Sequence, residues 1–123
     1  MRPSEPTRMT DFEFPYGAVS PPIVTPFDAD GGVDADALAS HVSTLVDAGL
    51  DGMVPCGTTG EFASLTDAER RAVVETTVEA ADGRVPVIAG AADTTVSGTL
   101  DRLRAADAAG ADAGLVTLPY YHN

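Results

Sequence analysis

The chain of 123 residues contains no lysine. All seven basic residues are arginine (Arg2, Arg8, Arg70, Arg71, Arg84, Arg102 and Arg104), set against 19 Asp and Glu, for a formal net charge of -12. That balance excludes duplex nucleic acid and anionic membrane as partners, because both would repel the chain. Cysteine is equally scarce. Cys56 stands alone, which excludes an internal disulfide and a multi-cysteine metal site and fits a reducing, cytoplasmic compartment. Nor is there an apolar run approaching the ~20 residues of a membrane helix. The opening MRPSEPTRMT lacks the apolar core of a secretory signal, so residues 1–16 read as a polar tail. His, Cys and carboxylates never fall at ligand spacing, and no metal or organic cofactor is expected. The surplus of carboxylates suits a surface that stays hydrated in concentrated salt, a halophilic habit; an ordinary acidic cytoplasmic domain also fits.

Against these absences stands a regular alternation. Four apolar runs recur at intervals of roughly 30 residues, the length of a strand-helix unit. They are Ala18 to Thr25, interrupted by Pro21 and Pro22, then Gly52 to Pro55, Val85 to Gly90 and Ala113 to Leu118. The last three show little polar alternation, as expected of strands covered on both faces. Three helical patterns lie between them. The first follows Asp34 as cap, carries Leu38, Val42, Leu45 and Val46 on one stripe, and stops at Gly49. The second opens on a capping box, Thr66 with Glu69, continues through Val73, Val74, Thr77, Val78 and Ala81, and ends before Gly83. The third runs from about Val96 through Leu100, Leu103 and Ala106 to Gly110. The order β-α-β-α-β-α-β implies an α/β fold with a parallel sheet, either open and doubly wound or part of a barrel.

Ligands of parallel α/β folds bind at the carboxyl ends of strands, and there the second run breaks into Gly57-Thr58-Thr59-Gly60-Glu61. Glycines allow successive N–H groups to face an anion, and threonine hydroxyls can bind or relay a proton. A small carboxylate suits such a loop. By spacing alone, a tight turn capped by threonines fits as well. A phosphate loop of the G-x-x-x-x-G-K-[ST] type fits worse, since its lysine is missing, and the G-x-G-x-x-G fingerprint is absent. Glu61 reads as a brace for the loop, Cys56 as a small apolar strand residue, and His41 as a helix side chain at or near the surface.

Four segments taken together, PPIVTPFDADGGVD (21–34), GTTGEFASLTDAER (57–70), RVPVIAGAADT (84–94) and TLPYYHN (117–123), resemble the N-terminal half of the dihydrodipicolinate synthase and N-acetylneuraminate lyase family, which includes 2-keto-3-deoxygluconate-type aldolases. The likeness spans about residues 17–123 in the family's order. It implies a (β/α)8 barrel, of which residues 17–123 would supply strands 1 to 4, and a homo-oligomeric parent. It implies also a cofactor-independent class I aldolase, lyase or synthase in which pyruvate or another 2-oxo acid forms a Schiff base with a lysine before meeting an aldehyde. On that analogy Gly57, Thr58, Thr59 and Gly60 bind the substrate, with Thr59 and nearby N–H groups on the carboxylate. The Thr58 hydroxyl joins a proton relay completed by Tyr121 from a neighbouring subunit. His122 departs from the family, which often has asparagine directly after the tyrosine pair Tyr120-Tyr121.

A complete barrel needs about 200 residues or more, and the family's Schiff-base lysine belongs to its sixth strand. Arginine cannot replace it, because the guanidinium stays protonated. The 123 residues by themselves are therefore expected to be inactive. Two other readings stay open: a non-catalytic half-barrel that binds or assembles with a partner chain, and an open flavodoxin-like domain holding phosphate at residues 57–60. The substrate's identity, and a biosynthetic or a degradative role, are not legible in these residues.

Overall fold

A computed structural model describes residues 19–118. Its regular elements, in chain order, are helix α1 (Ala35–Asp47), a 3-10 turn (Phe62–Ser64), helix α2 (Asp67–Ala81), strand β1 (Ile88–Gly90), helix α3 (Val96–Ala109) and strand β2 (Ala113–Leu115). β1 and β2 pair in parallel, Ile88 opposite Ala113 and Gly90 opposite Leu115. The first two apolar runs join them through single parallel bridges, Pro22 with Val54 and Met53 with Val87. The four runs thus lie side by side in chain order, but only the last two are regular strands.

Proline is the physical reason for that shortfall. Pro21, Pro22, Pro26, Pro55 and Pro86 carry no N–H, so extended backbone at these points can accept but not donate. The bonds that form use them as acceptors: Val54 N–H donates to the Pro21 carbonyl at 2.9 Å, Met53 N–H to Pro86 at 3.2 Å, and Gly90 N–H to Pro55 at 2.8 Å.

The helices follow their signals. Asp34 caps α1 by accepting from the Ala37 N–H at 2.9 Å, and Gly49 takes the left-handed conformation just beyond its end. At α2 both halves of the capping box form: the Glu69 N–H donates to Thr66 Oγ1 at 3.1 Å, and the Thr66 N–H donates to Glu69 Oε1 at 2.9 Å. α3 is capped by Thr95, whose hydroxyl accepts from Gly98 N–H at 2.9 Å. The core gathers Ile23, Met53, Val87 and Ala89 from the extended runs against Leu38 and Val42 of α1 and Val73, Val74 and Ala81 of α2.

The outer side departs from expectation. Cover on both faces does not extend to the fourth run, where Leu115, Val116 and Leu118 are all exposed, Leu118 to 89%. On α3, Ala106 is buried while Val96 and Leu100 stand in solvent beside Val116 and Leu118. Among the described residues no helix is long and apolar enough to cross a membrane.

Candidate functional site

The second run ends at Pro55, and the loop that follows is bounded by two left-handed residues, Cys56 (φ 59°) and Glu61 (φ 58°). Non-glycine residues adopt this conformation at a cost, and such positions gather at sites of function. The expectation that glycines would make the turn needs correction here. Gly60 sits where space is tight: a Cβ on it would lie 3.1 Å from the Ile23 carbonyl oxygen and 3.3 Å from Thr25 Oγ1. Gly57 has room for a Cβ, with only Val54 Cγ1 in reach at 3.9 Å.

The loop is held from three directions. The buried Thr25 hydroxyl donates to the Gly60 carbonyl at 2.7 Å. The Glu61 N–H donates to the Thr58 carbonyl at 3.0 Å, and the Glu61 carbonyl accepts from Ser64 N–H at 2.9 Å. Glu61 thus braces the turn through its backbone, and its side chain makes no capping bond. Gly90 of β1 closes the third side, so near the Cys56 carbonyl that any Cβ there would collide with it.

Above this junction opens a cleft of about 430 Å³, lined by Cys56, Gly57, Thr58, Phe62 and Ala63 from the loop, Gly90 and Ala92 from the end of β1, and Leu115, Thr117 and Leu118 from the fourth run. Gly57 and Thr58 are thus brought to one wall. Thr59 is exposed on the same loop outside this lining, and Gly60 is buried beneath it. Tyr121, together with Tyr120 and His122, falls outside the described residues. His41 is partly buried on α1 and away from the cleft.

Two residues that sequence reasoning passed over support the cleft. Thr25 is one. The other is Arg70, a buried arginine on the apolar stripe of α2, whose Nη2 donates to the Ala92 carbonyl at 3.0 Å and whose guanidinium lies 5.2 Å from the centre of the Phe62 ring. Its spacing with Val73, Val74 and Thr77 was the available signal. Nearby, Arg102 meets Asp67 Oδ1 at 2.7 Å and Asp93 Oδ2 at 3.2 Å, the latter off the angle of a good hydrogen bond.

The electrostatics follow from burial. It pushes the Cys56 thiol up to about 11, against the opposing pull of Arg70 and Arg102, so the sulfur at the cleft floor is a neutral thiol near pH 7 and a poor nucleophile. The thiol lies 3.6 Å from the Arg70 carbonyl, to which it donates. Burial and the like charge of Arg102 lower the Arg70 pKa. Burial works to raise the Asp93 carboxyl, but the Thr94 N–H and Arg102 outweigh it and hold it below its usual value. Among the described residues no group of His, Cys, Asp and Glu is arranged to hold a metal ion. The cleft offers hydroxyl and backbone groups on one wall, apolar walls elsewhere and a cation behind, an arrangement able to take a small organic anion.

Comparison with known proteins agrees with the motif reading. The model of the dihydrodipicolinate synthetase family matches residues 15–123. The 4-hydroxy-tetrahydrodipicolinate synthase of Sorangium cellulosum is 46% identical over 110 residues, covering 89% of this chain and 36% of the relative. An uncharacterized DapA-like lyase of Halobacterium salinarum is 45% identical over 104 residues, 85% of this chain and 34% of that protein. Among solved structures, YagE of E. coli K12, a prophage protein of the dihydrodipicolinic acid synthase family crystallised with pyruvate, superimposes with a TM-score of 0.85 at 35% identity, covering 89% of this chain and 37% of its own. The dihydrodipicolinate synthase of Aquifex aeolicus gives 0.80 at 39% identity, covering 84% and 35%. The chain therefore spans little more than a third of these relatives, and over that span its sequence and its fold agree: it belongs to the dihydrodipicolinate synthetase family.

Proposed function

We propose that these residues form the N-terminal part of a (β/α)8 barrel, the domain of a class I aldolase, lyase or synthase that joins or splits 2-oxo acids through a Schiff base, with pyruvate as the shared substrate. The observation that carries this reading is the placement of Gly57 and Thr58 on one wall of an open cleft at the carboxyl end of a parallel sheet, where ligands of such folds bind. The E. coli relative solved with pyruvate lends support. In this reading Gly57 to Gly60 hold the carboxylate, Thr59 through its hydroxyl and the neighbouring N–H groups. The Thr58 hydroxyl passes a proton between substrate and solvent, with Tyr121 of a second subunit next in the relay. The amine that forms the imine is supplied by sequence other than these 123 residues, which hold no lysine. The working form is a homo-oligomer in a cytoplasm rich in salt, and it uses no metal or organic cofactor.

Borohydride reduction in the presence of pyruvate tests the assignment. The 123-residue chain is expected to keep its mass unchanged, whereas the chain joined to the remaining two thirds of a relative's length should gain one reduced pyruvyl group on lysine. A stable adduct on the short chain would overturn the reading.

A second function, an assembly module that docks on a partner chain, is favoured by one observation: Val96, Leu100, Leu115, Val116 and Leu118 form a run of exposed apolar side chains along α3 and the fourth run. Patches of this kind mark surfaces that become covered. Sedimentation tests it, since a stable compact monomer would leave the module without a purpose.

A further inference from the structure

Three residues lining the cleft meet at one residue that does not line it, two of them at its side chain and one at its backbone carbonyl. Arg70 donates through Nη2 to the Ala92 carbonyl at 3.0 Å, faces the Phe62 ring at 5.2 Å, and accepts the Cys56 thiol on its own carbonyl at 3.6 Å. It is 7% exposed, and among the described residues no carboxylate lies within ion-pair distance of its guanidinium. A buried cation without a contacting anion is costly, and its charge is screened less than it would be in water. Arg102 differs in being ion-paired, with Asp67 and Asp93.

We propose that Arg70 is a positioning residue of the cleft: it ties the Phe62 loop to the end of β1, and its charge behind the wall, which no described carboxylate contacts, makes the cleft prefer a carboxylate to an uncharged ligand of the same shape. This deepens the proposed function and rests on its reading of the cleft as a carboxylate site. In a chain of net charge -12, which repels anions at long range, a local cation of this kind is what would let a carboxylate settle beside Thr58. Burial and Arg102 lower the Arg70 pKa, while Asp93 and Asp67 oppose them from beyond contact distance.

Acetate and acetamide, which share a shape and differ in charge, provide the test. Each is titrated into the 123-residue chain while the amide signals of Gly57, Thr58 and Gly90 are followed by NMR. The wild-type chain should favour acetate by about fivefold or more. Arg70→Gln should abolish that preference, and Arg70→Lys, which restores the charge, should recover it. A prop that acts by shape alone would weaken both ligands equally in Arg70→Gln. That outcome overturns the proposal, as does an unchanged preference in Arg70→Gln or none in the wild type. Should Arg70→Gln fail to fold, Arg102→Gln takes its place: it leaves Asp67 and Asp93 free to neutralise Arg70, so the acetate preference must shrink, and a preference left intact overturns the proposal. Pyruvate is titrated in parallel. An Arg70-dependent acetate preference with no pyruvate response removes the proposed function alone; a pyruvate response with an acetate preference indifferent to Arg70 removes this inference alone.

Discussion

At Cys56 the chain pays twice for one position, once in left-handed backbone and once in a thiol sealed from water. Burial raises its pKa from 9.0 to about 11. Because the folded value lies above the unfolded one, the stability this shift contributes is complete below pH 9 and lost as pH climbs towards 11. Urea midpoints should therefore decline across that window, and Cys56→Ala should flatten that part of the decline. Alkylation supplies a second check. At pH 8 the thiolate fraction should be about a hundredfold below that of an unfolded cysteine, so iodoacetamide should label the folded chain far more slowly than the chain in urea. Equal rates would contradict the buried, neutral thiol. The identity of this residue as an apolar strand end was legible from its neighbours, Val54 and Pro55. Its φ was not, since nothing in the string VPCGTTGE says that cysteine and glutamate, rather than the two glycines, take the left-handed positions. Arg70 escaped for a related reason: a cation at helical spacing with Val73 and Thr77 reads as solvated until the Phe62 ring and Ala92 carbonyl are seen to enclose it.

Among the elements, the helices were the most legible part. Asp34, Thr66, Glu69, Gly49 and Gly110 act locally, through hydrogen bonds and backbone angles settled within a few residues. The capping box should accordingly be measurable by itself: Thr66→Ala is expected to cost about 1 kcal/mol in urea unfolding, and Glu69→Ala less, while a substitution with no effect would remove the box as a determinant of α2. Strands were less legible, because their regularity depends on partners distant in sequence. Of the strands expected at 18–25 and 52–55, the described residues form single parallel bridges at Pro22, Met53 and Val54. How much of each run becomes regular ladder was decided by prolines on both sides of each pairing, as at Val54 with Pro21 and Met53 with Pro86. The exposed Leu115 and Val116 were also out of reach. An apolar run states that a surface is to be covered, not whether the cover lies within the same 123 residues.

For the molecule as a whole, charge and shape point the same way. A net charge of -12 on 123 residues gives self-repulsion that added salt screens. Raising KCl from about 0.1 M to about 2 M should lift the thermal midpoint by roughly 5–10 °C, followed by circular dichroism; a flat or falling midpoint would remove the high-salt interpretation. The same chain presents Leu118 and its apolar neighbours to solvent, a surface that screening alone would encourage to associate. Folding in salt and solubility in salt should therefore separate: the midpoint rises while the sedimenting species grows heavier. The candidate site divides along similar lines. Its loop was legible because GTTGE is local, while the cleft was not, being assembled from segments that end at Ala63, Ala92 and Leu118.

The central claim is that the Gly57–Gly60 loop receives the carboxylate of a 2-oxo acid. The most direct measurement is a pyruvate titration of the isotopically labelled chain in high salt, observed at every backbone amide, with Thr58→Val and Thr59→Val beside the wild type. Saturable shifts centred on residues 57–60 and 90–92, weakened about tenfold by Thr59→Val through loss of a charge-assisted hydrogen bond, are the expected result. Shifts scattered over the surface, or a response indifferent to both threonines, would contradict it.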